Sequence, residues 1–347
     1  MLYFHQSYCI SPQQTFQQTD IETLKGPVEK KLMALEPGYE GIPPGILRRM
    51  GKAIRMGVGA GMPIIKSAGP LNGIIIGTAN GGMEDCIKFL NQIVQYNEGV
   101  LAPGNFVQST TNAIAAQLGL LSGNRSYNIT HVHLGHSFEN ALMDASMQLK
   151  ENPEGNYLLG GVDEISTFHY NIEKLAGAFK EEDISNKQLY SVDSPGCIAG
   201  EAGAMFLVNN KKEGAVAKLQ AIYILHSSDA DIVKDRLQQF IAAHLQPGKT
   251  IDLFLSGEDG DNRIIHFYKA CESLMDKDVT IARFKHLCGD FPTASAFGSW
   301  LACELFRSQT LPGHMLKRGE QDKQFRNILL YNNFKGLQHS FMLLSKN

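Results

Sequence analysis

Paired cysteines are missing from this chain. Its six thiols, Cys9, Cys86, Cys197, Cys271, Cys288 and Cys303, are scattered, and none forms a C-x-x-C pair. Residues 1–16 carry no basic segment followed by a long apolar one, so reduced thiols in a cytoplasmic protein are the expected state. Long apolar runs are missing too. No window reaches ~18 uninterrupted apolar residues, which argues against a membrane span. Nor is there an excess of positive charge: 32 Lys and Arg stand against 35 Asp and Glu, a net charge of −3. Without a basic stripe to displace counterions, a nucleic-acid partner is not expected. The local cluster of Arg48, Arg49, Lys52 and Arg55 reads first as a solvated helix face, with a small acidic partner as the alternative.

A large core is what the composition does supply. The 347 residues are 43% apolar and 19% charged, enough for one large α/β domain or two fused smaller ones. Apolar runs that read as strands cover 2–10, 71–78, 156–166, 202–209, 216–226, 251–256, 279–284, 327–331 and 338–344. Helical spacing is found over 43–67, 83–96, 105–121, 229–244, 262–275 and 292–307. A polar stretch covers 170–195. This alternation implies a mixed or parallel sheet with helical layers. The two halves, 1–212 and 213–347, share an order of elements, and no Pro-, Gly- or Ser-rich linker separates them. One compact unit is expected.

Residues 127–148 spell a strand, a tight turn and an amphipathic helix. This is the layout of a nucleophile elbow, where a helix N-terminus directs backbone N–H groups and a positive dipole end at a reacting thiolate. The position where a cysteine would stand is Gly135.

Three segments resemble the β-ketoacyl synthases of the thiolase superfamily. One is the elbow. The second is Asp193-Ser-Pro-Gly-Cys-Ile-Ala-Gly-Glu-Ala-Gly-Ala-Met-Phe-Leu-Val208, similar to the family's D-G-F-x-x-G-E-G-A-G segment. The third is Tyr331-Asn-Asn-Phe-Lys-Gly-Leu-Gln-His-Ser-Phe-Met-Leu-Leu344, similar to S-F-G-F-G-G-x-N and the last strand. The helix over 105–118 also resembles the one before the family's elbow. The resemblance implies an α/β fold of the thiolase-like α-β-α-β-α layered sandwich type, built from two related halves.

The family's chemistry uses a cysteine to carry the acyl chain and two histidines to drive decarboxylation and stabilise the enolate. By the same resemblance, the cysteine position falls on Gly135. The first histidine position falls on Gly257 and the second near Asp290, while Lys285 is retained. An anionic Asp290 repels a malonyl carboxylate. The pattern is similar to chain-length-factor subunits, and the segments Arg48-Arg49-Met50 and 289–296 look like those of aryl-polyene and flexirubin pathway proteins. The resemblance therefore implies a catalytically degenerate subunit that pairs with an active ketosynthase, or with itself, along a dimer edge near 129–134. It implies an acyl carrier protein as partner, with acyl-phosphopantetheine as an indirect ligand and no bound cofactor of its own. Phe106, Gln108, Ser109, Asn112 and Phe334 are the expected tunnel residues. The alternative is an active 3-oxoacyl carrier-protein synthase or acyltransferase with a non-standard nucleophile, drawn from His136, Ser137 and Lys285.

Several residues carry plainer readings. His131 and His133 alternate to one face of a strand, and ordinary hydrogen-bonded histidines are expected rather than a metal site. Ser137 reads as a helix N-cap. Cys288 reads as a small buried hydrophobe. The run Glu258-Asp259-Gly260-Asp261 is expected to be a solvated loop, with cation binding as the alternative.

Overall fold

The computed structural model describes residues 1–101, 103–321 and 323–347. Eleven strands form its large sheet: β1 Leu2–Ile10, β2 Gly73–Gly77, β3 Tyr127–His131, β4 Tyr157–Asp163, β5 Ala202–Asn209, β6 Ala217–His226, β7 Leu253–Ser256, β8 Thr280–Arg283, β9 Leu316–Arg318, β10 Asn327–Phe334 and β11 Gln338–Lys346. The main helices are α1 Lys52–Ala68, α2 Met83–Gln95, α3 Ala113–Ser122, α4 Ser137–Glu151, α5 Thr167–Leu175, α6 Ala230–His244, α7 Ile265–Glu272 and α8 Ala294–Ser308.

The strand order is β9-β8-β7-β10-β11-β6-β1-β5-β4-β2-β3. Read outward from its middle, the same order occurs twice. On one side β1 is followed by β5, β4, β2 and β3; on the other β6 is followed by β11, β10, β7 and β8, with β9 added at the edge. The strand directions repeat as well. β2 runs parallel to β3 and β4, while β5 is antiparallel to β4 and β1. Likewise β7 is parallel to β8 and β10, and β11 is antiparallel to β10 and β6. The first strands of the two sets join antiparallel over Leu2–Phe4. The repeat is thus one of topology, without a matching repeat of residues.

Helices fill three layers. α4 packs on β2, β3 and β4 and reaches β6, while α8 packs on β1, β4, β5 and β10 and touches α4. In α8, twelve of fifteen residues are buried, including Trp300, Phe297 and Phe306. A helix buried all round belongs between two sheet faces. α1 and α3 cover the outer face of the first strand set, and α6 and α7 that of the second. The core divides accordingly into a central cluster, one under α1 and α3, and one under α6 and α7. Strands covered on both faces should be apolar throughout, and every residue of β2 and β4 is buried. At the start of α6, Asp229 accepts from the backbone N–H groups of Asp231 (2.9 Å) and Ile232 (3.3 Å), a full N-cap.

Three sequence expectations need correction. The helix expected over 43–67 is broken: one turn at Pro44–Leu47 precedes α1, and Gly51 holds the extended N-cap conformation between them. The helix expected over 105–121 is also broken, at Ser109-Thr110-Thr111-Asn112. There Ser109 Oγ donates to the Phe106 carbonyl (2.7 Å), the local side-chain competition that makes hydroxyl residues poor helix interiors. The polar stretch 170–195 overlaps α5, whose amphipathic pattern begins just ahead of it at Thr167. In the β10–β11 hairpin the strand runs on to Phe334. Lys335 (φ 56°) and Gly336 (φ 68°) take the left-handed conformations that match the twist of paired strands.

Among the described residues no helix is long and apolar enough to cross a membrane.

Candidate active-site cleft and the Gly135 turn

After β3 the chain turns through a single 3-10 turn, Leu134–His136, into α4. Leu134 sits at φ 49°, a left-handed conformation unusual for a branched residue and a mark of local strain. Ser137 pins this turn. Its Oγ donates to the Leu134 carbonyl (2.8 Å) and accepts from the His133 N–H (2.8 Å). The helix N-cap is His136, so Ser137 is the first helical residue and a clamp on the turn before it, rather than the expected N-cap. Its hydroxyl is fully buried and doubly engaged.

Gly135 is closed off from two sides. Its N–H, which would face a reacting carbonyl in an elbow, donates to Gln338 Oε1 (2.8 Å). A Cβ built at Gly135 would lie 2.4 Å from Phe334 Cβ and 2.8 Å from its Cγ. The β10–β11 hairpin therefore occupies the space of a side chain at 135. Gly257 is similarly enclosed: a Cβ there would meet Asn332 Oδ1 at 2.7 Å and the Tyr331 carbonyl at 3.0 Å. His136 is buried, and its Nε2 donates to the His339 carbonyl (3.1 Å). Burial lowers the His136 pKa to about 4, and the His339 pKa likewise to about 4. Both imidazoles are therefore neutral near neutral pH.

Lys285 and Asp290 meet inside the protein. Both lie at the C-terminal end of β8, joined by the short helical turn Lys285–Cys288. The Lys285 ammonium pairs with Asp290 Oδ1 and lies 3.4 Å from the Asn333 carbonyl. Asp290 is fixed by backbone: its N–H donates to the Ile198 carbonyl (2.8 Å), and its carbonyl accepts from Gly200 N–H (3.1 Å). Gly200 and Gly289 make this crossing possible, because a Cβ on Gly200 would lie 1.9 Å from the Cys288 carbonyl. Asp290 itself faces Lys285.

Asp290 and Gly200 line a cleft of about 470 Å³ between the two strand sets. Its walls include Cys197, Asp259, Asp290, Glu164, Phe291 and Phe334. At its rim Tyr170 and Phe179 stack with ring centroids 4.9 Å apart. Cys197 Sγ and carboxylate oxygens of Asp259 and Asp290 lie within 4.8 Å of one another. Burial pushes the Asp259 carboxyl up to about 7, with the Asp290 charge adding to the effect. Burial also pushes the Cys197 thiol well above its ordinary value, again assisted by Asp290. For Lys285, burial acts downward, yet the attraction of Asp290 and Asp259 outweighs it and holds the ammonium above the usual range.

The acidic run is therefore no solvated loop. Glu258, Asp259 and Asp261 are all buried. Glu258 pairs with Arg283 (3.2 Å) and Lys317, and Asp261 binds the Arg263 guanidinium. The sequence showed three acidic residues around a glycine; the partners of Glu258 and Asp261 come from β8, β9 and the turn into α7. Cys288 is buried outside the cleft, as expected. His131 Nε2 meets Asp144 on α4 (2.9 Å), and His133 Nδ1 meets Asn140 on the same helix (3.2 Å).

Among the expected tunnel residues, Phe334 alone lines this cleft. Gln108 Nε2 donates to the Arg49 carbonyl while its Oε1 accepts from Gly51 N–H (2.6 Å), tying 103–108 to the start of α1. Asn112 Oδ1 accepts from Thr130 Oγ1 (2.9 Å). Phe106 packs on Phe89 (centroids 5.3 Å apart) and remains largely exposed. Sequence reasoning missed Cys197 as a cleft residue and Gln338 as the group on the Gly135 N–H. Cys197 does stand in the glycine-rich segment, but only the β-bridge of Phe179 to Cys197 turns it inward.

The repeated strand order, the central helix pair and the turn at 135 define the thiolase-like ketosynthase fold. Residues 27–176 match the family model described as the N-terminal domain of beta-ketoacyl synthase. No curated protein matches the chain. Among solved structures, a beta-ketoacyl synthase from Burkholderia phymatum is 14% identical with a TM-score of 0.75, covering 100% of this chain and 99% of that one. The ishigamide ketosynthase/chain length factor is 14% identical with a TM-score of 0.77, covering 100% and 99%. A ketosynthase in complex with its chain length factor from Xenorhabdus doucetiae is 12% identical with a TM-score of 0.76, covering 100% and 98%. At these identities the likeness is one of fold.

Proposed function

We propose that this chain is a non-catalytic, chain-length-factor-like subunit that pairs with an active ketosynthase in fatty-acid-type or aryl-polyene chain elongation. One observation carries the reading: the space for a side chain at Gly135 is taken by Phe334, and the Gly135 N–H is taken by Gln338. A thioester carbonyl has neither a nucleophile nor that donor to meet here. Asp290, tied to Lys285, presents an acceptor where the family's chemistry uses a donor. Solved neighbours of the same fold include ketosynthase and chain-length-factor complexes.

The partner surface in this reading is the edge strand β3 and the turn after it. Val132, Leu134, Val107 and Leu120 are half or more exposed there, and an open strand edge with apolar flanks favours pairing. Phe106, Gln108, Ser109 and Asn112 lie in segments beside that edge, where they shape a partner's acyl tunnel. The acyl group arrives on the phosphopantetheine arm of a carrier protein bound to the pair.

The test is co-expression with a cysteine-bearing ketosynthase, treatment with an acyl-thioester probe, and intact mass measurement of both chains. The expected adduct is on the ketosynthase alone, and Leu134→Glu abolishes co-purification. An acyl adduct on this chain in isolation sinks the reading. It favours instead a synthase with a non-standard nucleophile, for which Cys197 is the thiol that faces the cleft.

A further inference from the structure

We propose that Cys197, Asp259 and Asp290 bind one divalent transition-metal ion, with zinc the best fit, at the floor of the cleft. The three donors come from three separate turns: the glycine-rich segment before β5, the turn after β7 and the turn after β8. Their donor atoms lie within 4.8 Å of one another, so that a small side-chain adjustment brings all three to the separation the ligands of one ion take up. Backbone bridges hold each turn in place. Cys197 N–H donates to the Ala178 carbonyl (3.1 Å), Asp290 is locked to Ile198 and Gly200, and Asn262 N–H donates to the Ser194 carbonyl (3.4 Å) beside Asp261. The turns that carry the three side chains are thus fixed by the scaffold.

A second, independent observation points to a ligand. Asp259 is 4% exposed, and its Oδ1 accepts from Asp261 N–H (3.0 Å). Its other oxygen has no hydrogen-bond donor among the described residues, although Asp259 lines the cleft. A carboxylate oxygen that opens on the cleft with no donor is a place where a cation offsets the cost of burying the rest of the side chain.

Charge and donor type select the ion. One thiolate and two carboxylates against the Lys285 ammonium leave two negative charges, which a divalent cation neutralises. Lys285 pairs with one oxygen of Asp290, leaving the other free; an ammonium on the back of a ligating carboxylate is an ordinary outer partner of a metal site. Sulfur favours zinc, cobalt or ferrous iron over magnesium or calcium. On binding, the Cys197 thiol gives up its proton to solvent as the metal–sulfur bond forms. Three protein donors leave a tetrahedral ion one open position, directed into the cleft. The sequence-based expectation of no metal site rested on linear spacing, and these ligands are brought together only by tertiary contacts.

The test uses the full chain after chelator treatment, titrated with Co²⁺ and then Zn²⁺ and followed by absorption and calorimetry. Expected are one Co²⁺ per chain, a thiolate-to-cobalt charge-transfer band and displacement by Zn²⁺. Cys197→Ala abolishes the band, and Asp259→Asn, which keeps the side-chain shape, weakens binding roughly tenfold or more. If Cys197→Ala does not fold, Asp259→Asn decides. No stoichiometric binding by the unaltered chain overturns the proposal, as does a folded variant with unchanged band and affinity. The result is independent of where an acyl probe reacts, so this proposal and the subunit reading fail separately.

Discussion

Two turns at equivalent places in the repeated topology have been treated in opposite ways. One follows β3 and leads into α4; the other follows β8 and leads into α8. The first carries no side chain at Gly135, and the hairpin packs over it with an apolar ring and a neutral amide. The second carries a charge at Asp290 and compensates it with a buried ammonium. A position without a side chain needs only packing, and its one polar group, the N–H, is taken by Gln338. A charged position needs an ionic partner, because a lone buried charge costs far more than a void. The two turns should therefore respond differently to substitution.

The largest effect is expected at the charged turn. Lys285→Met leaves Asp290 and Asp259 buried without their cation and should destabilise the chain by about 3–5 kcal/mol, read from urea unfolding. Adding Asp290→Leu to that variant should recover part of the loss, since removing both charges is milder than removing one. A single variant as stable as the unaltered chain would mean that the pair is solvated and the contrast false.

Next comes pH. His136 and His339 beside the emptied turn have folded pKa values of about 4, below the ordinary value of 6.5. Between these values the unfolded chain binds more protons than the folded one. Their contribution is complete above pH 6.5 and is lost as pH falls toward 4, by about 3 kcal/mol for each histidine. Unfolding midpoints measured across that range should fall with acid, and His136→Gln should reduce the slope. A flat profile would place water or an anion beside these rings.

The smallest effect is expected from refilling the emptied turn. Gly135→Cys forces the new Cβ against Phe334 and should cost about 1–3 kcal/mol, while the thiol remains unreactive toward acyl thioesters. Phe334→Gly in the same chain should relieve the strain; Phe334→Ala should not, because it keeps the Cβ that collides. Rapid acylation of Gly135→Cys alone would show that the hairpin yields readily and that the closure seen here is only one state.

Much of this was legible before any coordinates. The strand and helix periods placed most elements, and three glycine-rich segments in order pointed to the thiolase-like sandwich. Asp290 was singled out in the sequence beside Lys285 and the 289–296 segment, but its ion pair with Lys285 was not. What stayed hidden depended on partners distant in the chain. Glu258, Asp259 and Asp261 look like a solvated run until Arg283, Lys317 and Arg263 are brought to them. Ser137 looks like a cap until the left-handed Leu134 pulls the turn back onto its hydroxyl. Gln108 gives no sign in the sequence that its amide bridges Arg49 and Gly51.

By itself the sequence determined which reactive groups exist and which do not, since a glycine at 135 has no atom to offer in any fold. It also determined the layering, because burial periodicity is a local property of strands and helices. Only the tertiary structure decided that Phe334 and Gln338 close over Gly135, and that Cys197, Asp259 and Asp290 share one buried corner. Contacts between residues tens to hundreds of positions apart are set by how sheets and helices pack, and no local pattern in the chain encodes their distances.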